Sequence, residues 1–131
     1  PGANNIVVLD AGGVMAAGTV KLDRMMRTEV QGSAVGTVTL NMGTVAAGDR
    51  IWVTGYTGTG SGTGALQWQK TSGTATVDWA GAAQLRSDAP NYVTCSGICR
   101  VTASGTLVLG AYTSGFTTPT VYGHAIVLNN G

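Results

Sequence analysis

Hydrophobic and polar residues alternate along most of the chain after residue 34. In the segment "GTVTLNM", Val38, Leu40 and Met42 fall on one side of an extended backbone, with polar residues between them. A period of two residues is typical of a β-strand that buries one face. The same period predicts further strands in "RIWVTGYT", "ALQWQK", "TATVDW", "GTLVLGAY" and "TVYGHAIVL".

Segments rich in Gly, Ser and Pro separate these runs and predict turns. Clear examples are "AAGD" at 46–49, "GTGSGTG" at 58–64 and "TSGFTTP" at 113–119. Strands that follow one another at short intervals without helices between them are typical of an antiparallel sandwich or barrel. The last run, "TVYGHAIVL", is apolar on both faces and therefore predicts a strand that is covered on both sides.

The first 34 residues differ from the rest of the chain. They contain an apolar run, "NIVVL", followed by a cluster of acidic and basic residues between 21 and 29. We interpret residues 1–34 as an N-terminal arm or insertion that reaches a neighbouring subunit, and residues 35–131 as the β-sandwich domain. The candidate contact residues of the arm are Ile6, Val8, Lys21, Arg24 and Arg27.

The composition narrows the possible partners. Charged residues make up 10% of the chain, against about 25% in an average globular protein. A surface with few charges suits burial against other protein, because each buried charge needs a partner, but it is also common in β-proteins rich in Thr and Gly. The net charge is +1 without a cluster of Lys and Arg, which argues against nucleic acid as a partner.

The sequence also argues against a membrane protein. No apolar run approaches the roughly 20 residues of a membrane-spanning helix. The chain opens with "PGANN" and lacks a basic stretch followed by an apolar one. We therefore expect a protein that is made in the cytoplasm without a signal peptide, either a small complete protein or a domain of a longer fibre.

The two cysteines lie in the segment "VTCSGICRV". On a strand, Cys95 and Cys99 would have Cα atoms about 13 Å apart, whereas a disulfide needs about 4.4–6.8 Å. A bond between them would require a bulge or turn at the two residues after Cys95. Both share a face with Val93 and Val101, which favours a role as small core residues. A disulfide to another chain is the alternative.

Candidate groups for catalysis or metal binding are few. A zinc site needs about four nitrogen or sulfur ligands, and the chain offers two Cys and His124. Asp49 lies in a predicted turn, where we expect it to cap backbone amides. Asp78 has no evident acidic partner for glycosidase chemistry. We therefore expect neither an enzyme nor a bound cofactor.

The aromatic residues of "RIWVTGYT" leave two possibilities. Trp52 and Tyr56 lie on the face opposite Ile51 and Val53, and the alternation alone does not say which face is the core. If Trp52 and Tyr56 are exposed, they could stack on sugar rings or contact a second subunit.

Two segments resemble a known family. "TVAAGDRIWVTGY" and "SGICRVTASGTLVLGAYTSG…TVYGHAIVLNN" resemble the jelly-roll module of tumour-necrosis-factor-like and complement-head-like proteins. The family's closing aromatic-Ser-Gly-aromatic pattern is matched here at Tyr122 and Gly123. The resemblance implies an antiparallel jelly-roll β-sandwich that forms a homotrimer with its last strand near the threefold axis. The candidate interface residues are then Val121, Tyr122, His124, Ile126 and Leu128.

Modules of this architecture also occur in bacteriophage tail-fibre tips and head decoration proteins, which this chain resembles in size and composition. The resemblance implies a non-enzymatic virion protein, a capsid decoration (cement) protein that trimerises and clamps neighbouring shell subunits. Its partners would be copies of itself and the major capsid protein or another virion protein. The alternative is a tail-fibre tip or lectin-like module that binds glycans through Trp52 and Tyr56.

Overall fold

The computed structural model describes residues 28–58 and 61–128. These ranges contain strands and no helix, and so no helix that could span a membrane. The strands are β1 (Thr28–Val35), β2 (Thr37–Val45), β3 (Arg50–Thr57), β4 (Thr63–Ser72), β5 (Thr76–Asp78), β6 (Leu85–Pro90), β7 (Thr94–Ala103), β8 (Gly105–Ser114) and β9 (Thr120–Leu128). They form two antiparallel sheets around one apolar core, so the predicted all-β sandwich is confirmed.

The alternation read from the sequence matches the burial along the strands. In β2, Val38, Leu40 and Met42 are buried and the residues between them are mostly exposed. In β3, Ile51 and Val53 are buried, which identifies their face as the core face. Because side chains on a strand alternate, the opposite face of β3 points to solvent.

The strands pair in a nested order. One sheet has the order β1-β9-β3-β7-β5, and the other has the order β2-β8-β4-β6. The first long strand pairs with the last, the second with the second to last, and this continues through the pairs β3·β7 and β4·β6. The chain therefore folds as one long hairpin that has been wrapped around the core, with β5 added at an edge.

The corner between β1 and β2 depends on Gly36. Here the chain leaves one sheet and enters the other, and the φ angle of +80° lies in the left-handed region, which favours glycine. The amide of Gly36 donates to the carbonyl of Pro119 at 2.8 Å, and its carbonyl accepts the amide of Thr113 at 2.9 Å. These bonds tie the corner to both sheets.

The centre of the core is the indole of Trp68, which is fully buried on β4. It lies against Gly55 and Gly123, which are directly opposite each other on β3 and β9. A Cβ atom at Gly55 would lie 3.2 Å from Cζ2 of Trp68, and one at Gly123 would lie 3.0 Å from Cη2. The Nε1 atom donates to the carbonyl of Cys95 at 3.1 Å. Trp68 therefore contacts three strands of the facing sheet.

The turn before β3 forms as the sequence predicts. The carboxylate of Asp49 accepts the amide of Ala46 at 2.9 Å, so Asp49 caps the turn. Asp49 is buried at this position, which makes its hydrogen bonds important for the turn.

The sandwich includes residues before the predicted boundary at residue 34. β1 begins at Thr28 and pairs along its whole length with β9, so residues 28–34 belong to the sandwich. The polar residues of β1 alternate with Val30 and Ala34, which pack against the core, and this alternation was attributed to the arm because charged residues surround it. The arm residues Ile6, Val8, Lys21, Arg24 and Arg27 lie outside the described ranges.

We predict that Trp68→Ala lowers the free energy of unfolding by about 3–5 kcal/mol. The substitution leaves a cavity beside Gly55 and Gly123 and removes the hydrogen bond to the carbonyl of Cys95. Chemical denaturation measures this loss. The matched control is Tyr92→Ala, which removes a ring that is 63% exposed and should change stability by less than about 0.5 kcal/mol. Equal losses for the two variants would contradict the central position of Trp68.

Candidate functional site

The solvent-facing side of β1, β9, β3 and β7 is the candidate site, and we call it the outer face. Antiparallel partners point to the same side of a sheet, so the strand registers define rows of side chains across it. The tyrosine row is Ser33, Tyr122, Tyr56 and Thr94; the polar row is Gln31, His124, Thr54 and Ser96; the tryptophan row is Glu29, Ile126, Trp52 and Ile98; the arginine row is Leu128, Arg50 and Arg100.

The tyrosine row holds a stacked aromatic pair. The rings of Tyr56 and Tyr122 have centroids 4.8 Å apart and an interplanar angle of 16°. The two residues are direct partners on β3 and β9, which brings the rings together. Both remain exposed, so the pair presents an apolar surface with hydroxyl groups at its edge.

The tryptophan row is the most apolar part of the outer face. Trp52 is 51% exposed and lies between Ile126 on β9 and Ile98 on β7, its direct partners. Ile98 is 54% exposed. Large apolar side chains that lie next to one another and face solvent are typical of a surface that contacts another molecule.

The polar row separates the two apolar rows, and its side chains form hydrogen bonds within the row and to the tryptophan row. The hydroxyls of Thr54 and Ser96 lie 2.7 Å apart. The Nε2 atom of His124 lies 2.7 Å from Oε1 of Glu29, and it donates because a carboxylate only accepts. Glu29 thus has a hydrogen-bond partner on the same surface. Covering this region would therefore leave no carboxylate without a partner.

The arginine row ends the outer face with positive charge. Arg50 and Arg100 are exposed and directly opposite each other on β3 and β7. Like charges at such positions repel each other. Asp78 on β5 is the partner of Arg100 in the ladder and brings one negative charge to this end. The arginine row is therefore the boundary of the apolar surface, which begins at the tryptophan row and extends towards the tyrosine row.

Two depressions lie along the polar row, one on each side of it. A cleft of about 520 Å³ lies beside the tyrosine pair and is lined by residues that include Gln31, Thr54, Tyr56, Tyr122 and His124. A smaller one of about 170 Å³ lies on the other side, between Thr54, His124 and the tryptophan row. Along β3, Trp52 and Tyr56 are about 13 Å apart, so the polar row forms a shallow trough between two apolar ridges.

The structure resolves the possibility that the sequence left open for β3. Trp52 and Tyr56 are exposed on the outer face, and Ile51 and Val53 are in the core. On the outer face, Trp52 and Tyr56 lie next to Tyr122, His124 and Ile126. The aromatic residues of β3 and the candidate interface residues of β9, which the sequence analysis treated separately, thus form one surface.

One of the candidate interface residues, Val121, does not lie on the outer face. Val121 is fully buried in the core, because it alternates with Tyr122 and therefore points to the other side of β9. Tyr122, His124, Ile126 and Leu128 lie on the outer face as one set. Val121 contributes to packing between the sheets and is not available to a second subunit.

Ile98 and Gln31 were missed. Ile98 lies between the two cysteines in sequence, and its position opposite to their face was the signal that could have identified it as exposed. Gln31 was assigned to the arm, and only the pairing of β1 with β9 places it next to His124.

The cysteines are core residues in this structure. Cys95 and Cys99 are buried and free, on the same face as Val93 and Val101. A disulfide to another chain needs a sulfur atom at the surface, so their burial argues against the alternative of an interchain bond. Burial raises the pKa of both thiols, and that of Cys99 is raised to about 12. A raised pKa keeps the reactive thiolate scarce.

The remaining candidate groups are the possible metal ligands and Asp78. Residues 28–58 and 61–128 contain no group of three or more His, Cys, Asp and Glu side chains that could hold a metal ion. The carboxylate of Asp78 accepts the amide of Gly81 at 2.9 Å, a local turn contact.

No protein-family model matches the chain, and no curated protein or solved structure is significantly similar to it. The geometry of the outer face therefore carries the functional assignment.

We predict that the Cys99 thiol makes the fold sensitive to alkali. Its folded pKa of about 12 exceeds the ordinary value of 9.0, so its contribution to stability is present below pH 9 and is lost as the pH rises towards 12. The free energy of unfolding should fall more steeply over this window in the unmodified protein than in Cys99→Ala. Parallel slopes would contradict the prediction.

Proposed function

We propose that the protein is a non-enzymatic structural protein of a virus particle that assembles through the outer face. The observation that carries the proposal is the exposed tryptophan row, in which Trp52 lies between two isoleucines, together with the stacked tyrosines nearby. An apolar surface of this kind gains free energy when another protein covers it.

The electrostatics of the outer face support burial. Apart from the tyrosines, the titratable side chains of the tyrosine, polar and tryptophan rows are His124 and Glu29, which bind each other. Burial of a lone charge costs several kcal/mol, whereas a paired and hydrogen-bonded group costs less. Arg50 and Arg100 lie at the end of the outer face, where they can stay in contact with solvent at the rim of an interface.

The threefold state and the virion setting rest on the resemblance. The four nested pairs contain eight of the nine described strands, and eight strands in two sheets fit the jelly roll that the resemblance implies. The last strand, β9, contributes Tyr122 and Ile126 to the outer face, and we propose that it lies near the threefold axis. The trimer would clamp neighbouring capsid subunits as a phage head decoration (cement) protein.

A second candidate function uses the same face. The cleft of about 520 Å³ combines an aromatic wall, Tyr56 and Tyr122, with the polar side chains of Gln31, Thr54 and His124. Sugar rings are commonly held by stacking on aromatic rings together with hydrogen bonds to such groups. This combination favours a glycan-binding module, as in a tail-fibre tip.

We predict a mass of three chains in sedimentation velocity at micromolar concentration, unchanged by reductant because both thiols are buried. Ile98→Ser removes apolar area from the tryptophan row without touching the core, so it should weaken the trimer by about tenfold or more. Tyr92→Ser, which changes an exposed aromatic residue outside the four rows, should leave the mass unchanged.

The same variants separate the two candidate functions. Ile98 does not line the larger cleft, whereas Thr54 does, and Thr54→Val keeps the shape while removing a hydroxyl. Assembly predicts that Ile98→Ser disrupts the trimer and Thr54→Val does not. Binding of oligosaccharides by a stable monomer, lost in Thr54→Val and kept in Ile98→Ser, would contradict the assembly proposal and support the glycan-binding one.

A further inference from the structure

Four described strands form the edges of the two sheets, and three of them carry features that hinder pairing with a further strand. β5 is three residues long and changes register between Thr76 and Val77. β6 ends at Pro90 and carries the Arg86–Asp88 ion pair. β2 changes register between Asn41 and Gly43. Short strands, prolines, charges and bulges are the usual means of protecting an edge.

β1 is the least protected of the four edges, because its one charged side chain, Glu29, is bonded to His124 of β9. Its eight residues pair with β9 without a change in register, and it contains no proline and no lysine. Among the described residues, no strand pairs with its other side. β1 therefore presents a straight row of backbone donors and acceptors.

The direction of these backbone groups follows from the ladder. The amide of Gly36 donates to Pro119, and this pair continues the β1·β9 register. Hydrogen-bonded pairs alternate along an antiparallel ladder, so the amides of Gly32 and Val30 also face β9. The amides of Gln31 and Ser33 then point away from the sheet.

The core is also incomplete beneath β1. Val30 and Ala34 are only partly buried, although their partners on β9, Ala125 and Val121, are fully buried. A further strand beside β1 would cover these two side chains if it presented aliphatic residues to the core. The edge thus favours an apolar strand.

We propose that this edge pairs with residues 5–9, "NIVVL", of the chain's own N-terminal segment. The run carries aliphatic residues on both faces, so in either orientation it offers aliphatic side chains to Val30 and Ala34. The connecting stretch 10–27 can extend to about 60 Å, whereas β1 is about 27 Å long, so the run reaches any point of the edge. The same reach allows pairing with β1 of a neighbouring subunit.

Hydrogen exchange of individual amides, measured by NMR on the full chain, tests this inference. Gln31 and Ser33 should exchange slowly in the unmodified protein and at least about a hundredfold faster in Val7→Pro, which removes a donor from the pairing strand. Val30 and Gly32, which bond to β9, should stay slow in both and report that the sandwich is folded. Ala16→Pro, in the connecting stretch, is the matched control and should keep all four slow. Val7→Asp, which places a charge in the same strand, should reproduce Val7→Pro.

Fast exchange of Gln31 and Ser33 in the unmodified chain would overturn the inference, and so would slow exchange that persists in both Val7 variants. Protection that is lost on dilution assigns the strand to a neighbouring subunit, and protection that persists assigns it to the same chain. The inference does not depend on the outer face being an assembly surface. Sedimentation of the same samples reports the trimer separately, so the two proposals can fail independently.

Discussion

The packing of Trp68 against Gly55 and Gly123 determines which residues this protein shows to solvent. The indole occupies the space over two directly opposed glycines and donates to the carbonyl of Cys95, so β3, β9 and β7 must turn these positions towards the core. Side chains alternate along a strand, and a slip of one residue would reverse every face. With the glycines inside, Trp52, Tyr56 and Tyr122 have to lie outside. The composition of the outer face is thus a consequence of how one core residue packs.

The outer face exposes large apolar side chains to solvent, and assembly would bury them. A sheet that buries one face usually carries polar residues on the other, whereas here two apolar rows flank a polar one. Side chains of the polar row have partners on the outer face, since Thr54 bonds to Ser96 in the same row and His124 bonds to Glu29 in the tryptophan row. Such a surface loses little when water is removed and gains from the burial of Trp52, Ile98 and the tyrosines. The low charge of the whole chain agrees with this interpretation.

Much of the fold could be predicted from the sequence because alternation directly reports a half-buried strand. The core positions of β2 and the shared face of the two cysteines followed from it, and the turn at Asp49 followed from the turn residues around it. The orientation of β3 did not, because both of its faces are apolar, and only the packing of Trp68 decides between them. The rows of the outer face depend on which strands are neighbours, as when Gln31 meets His124 across a long separation in sequence. Residues 28–34 were misassigned because the charges around them concealed a regular strand.

We propose that a second copy of the protein covers the outer face. Hydroxyl-radical footprinting of the assembled protein tests it most directly, because aromatic side chains report their own exposure. We expect Trp52, Tyr56 and Tyr122 to be protected in the oligomer, whereas Tyr92, which lies outside the four rows, should react at the same rate as in the separated chain. An oligomer in which Trp52 reacts as readily as Tyr92 would contradict it.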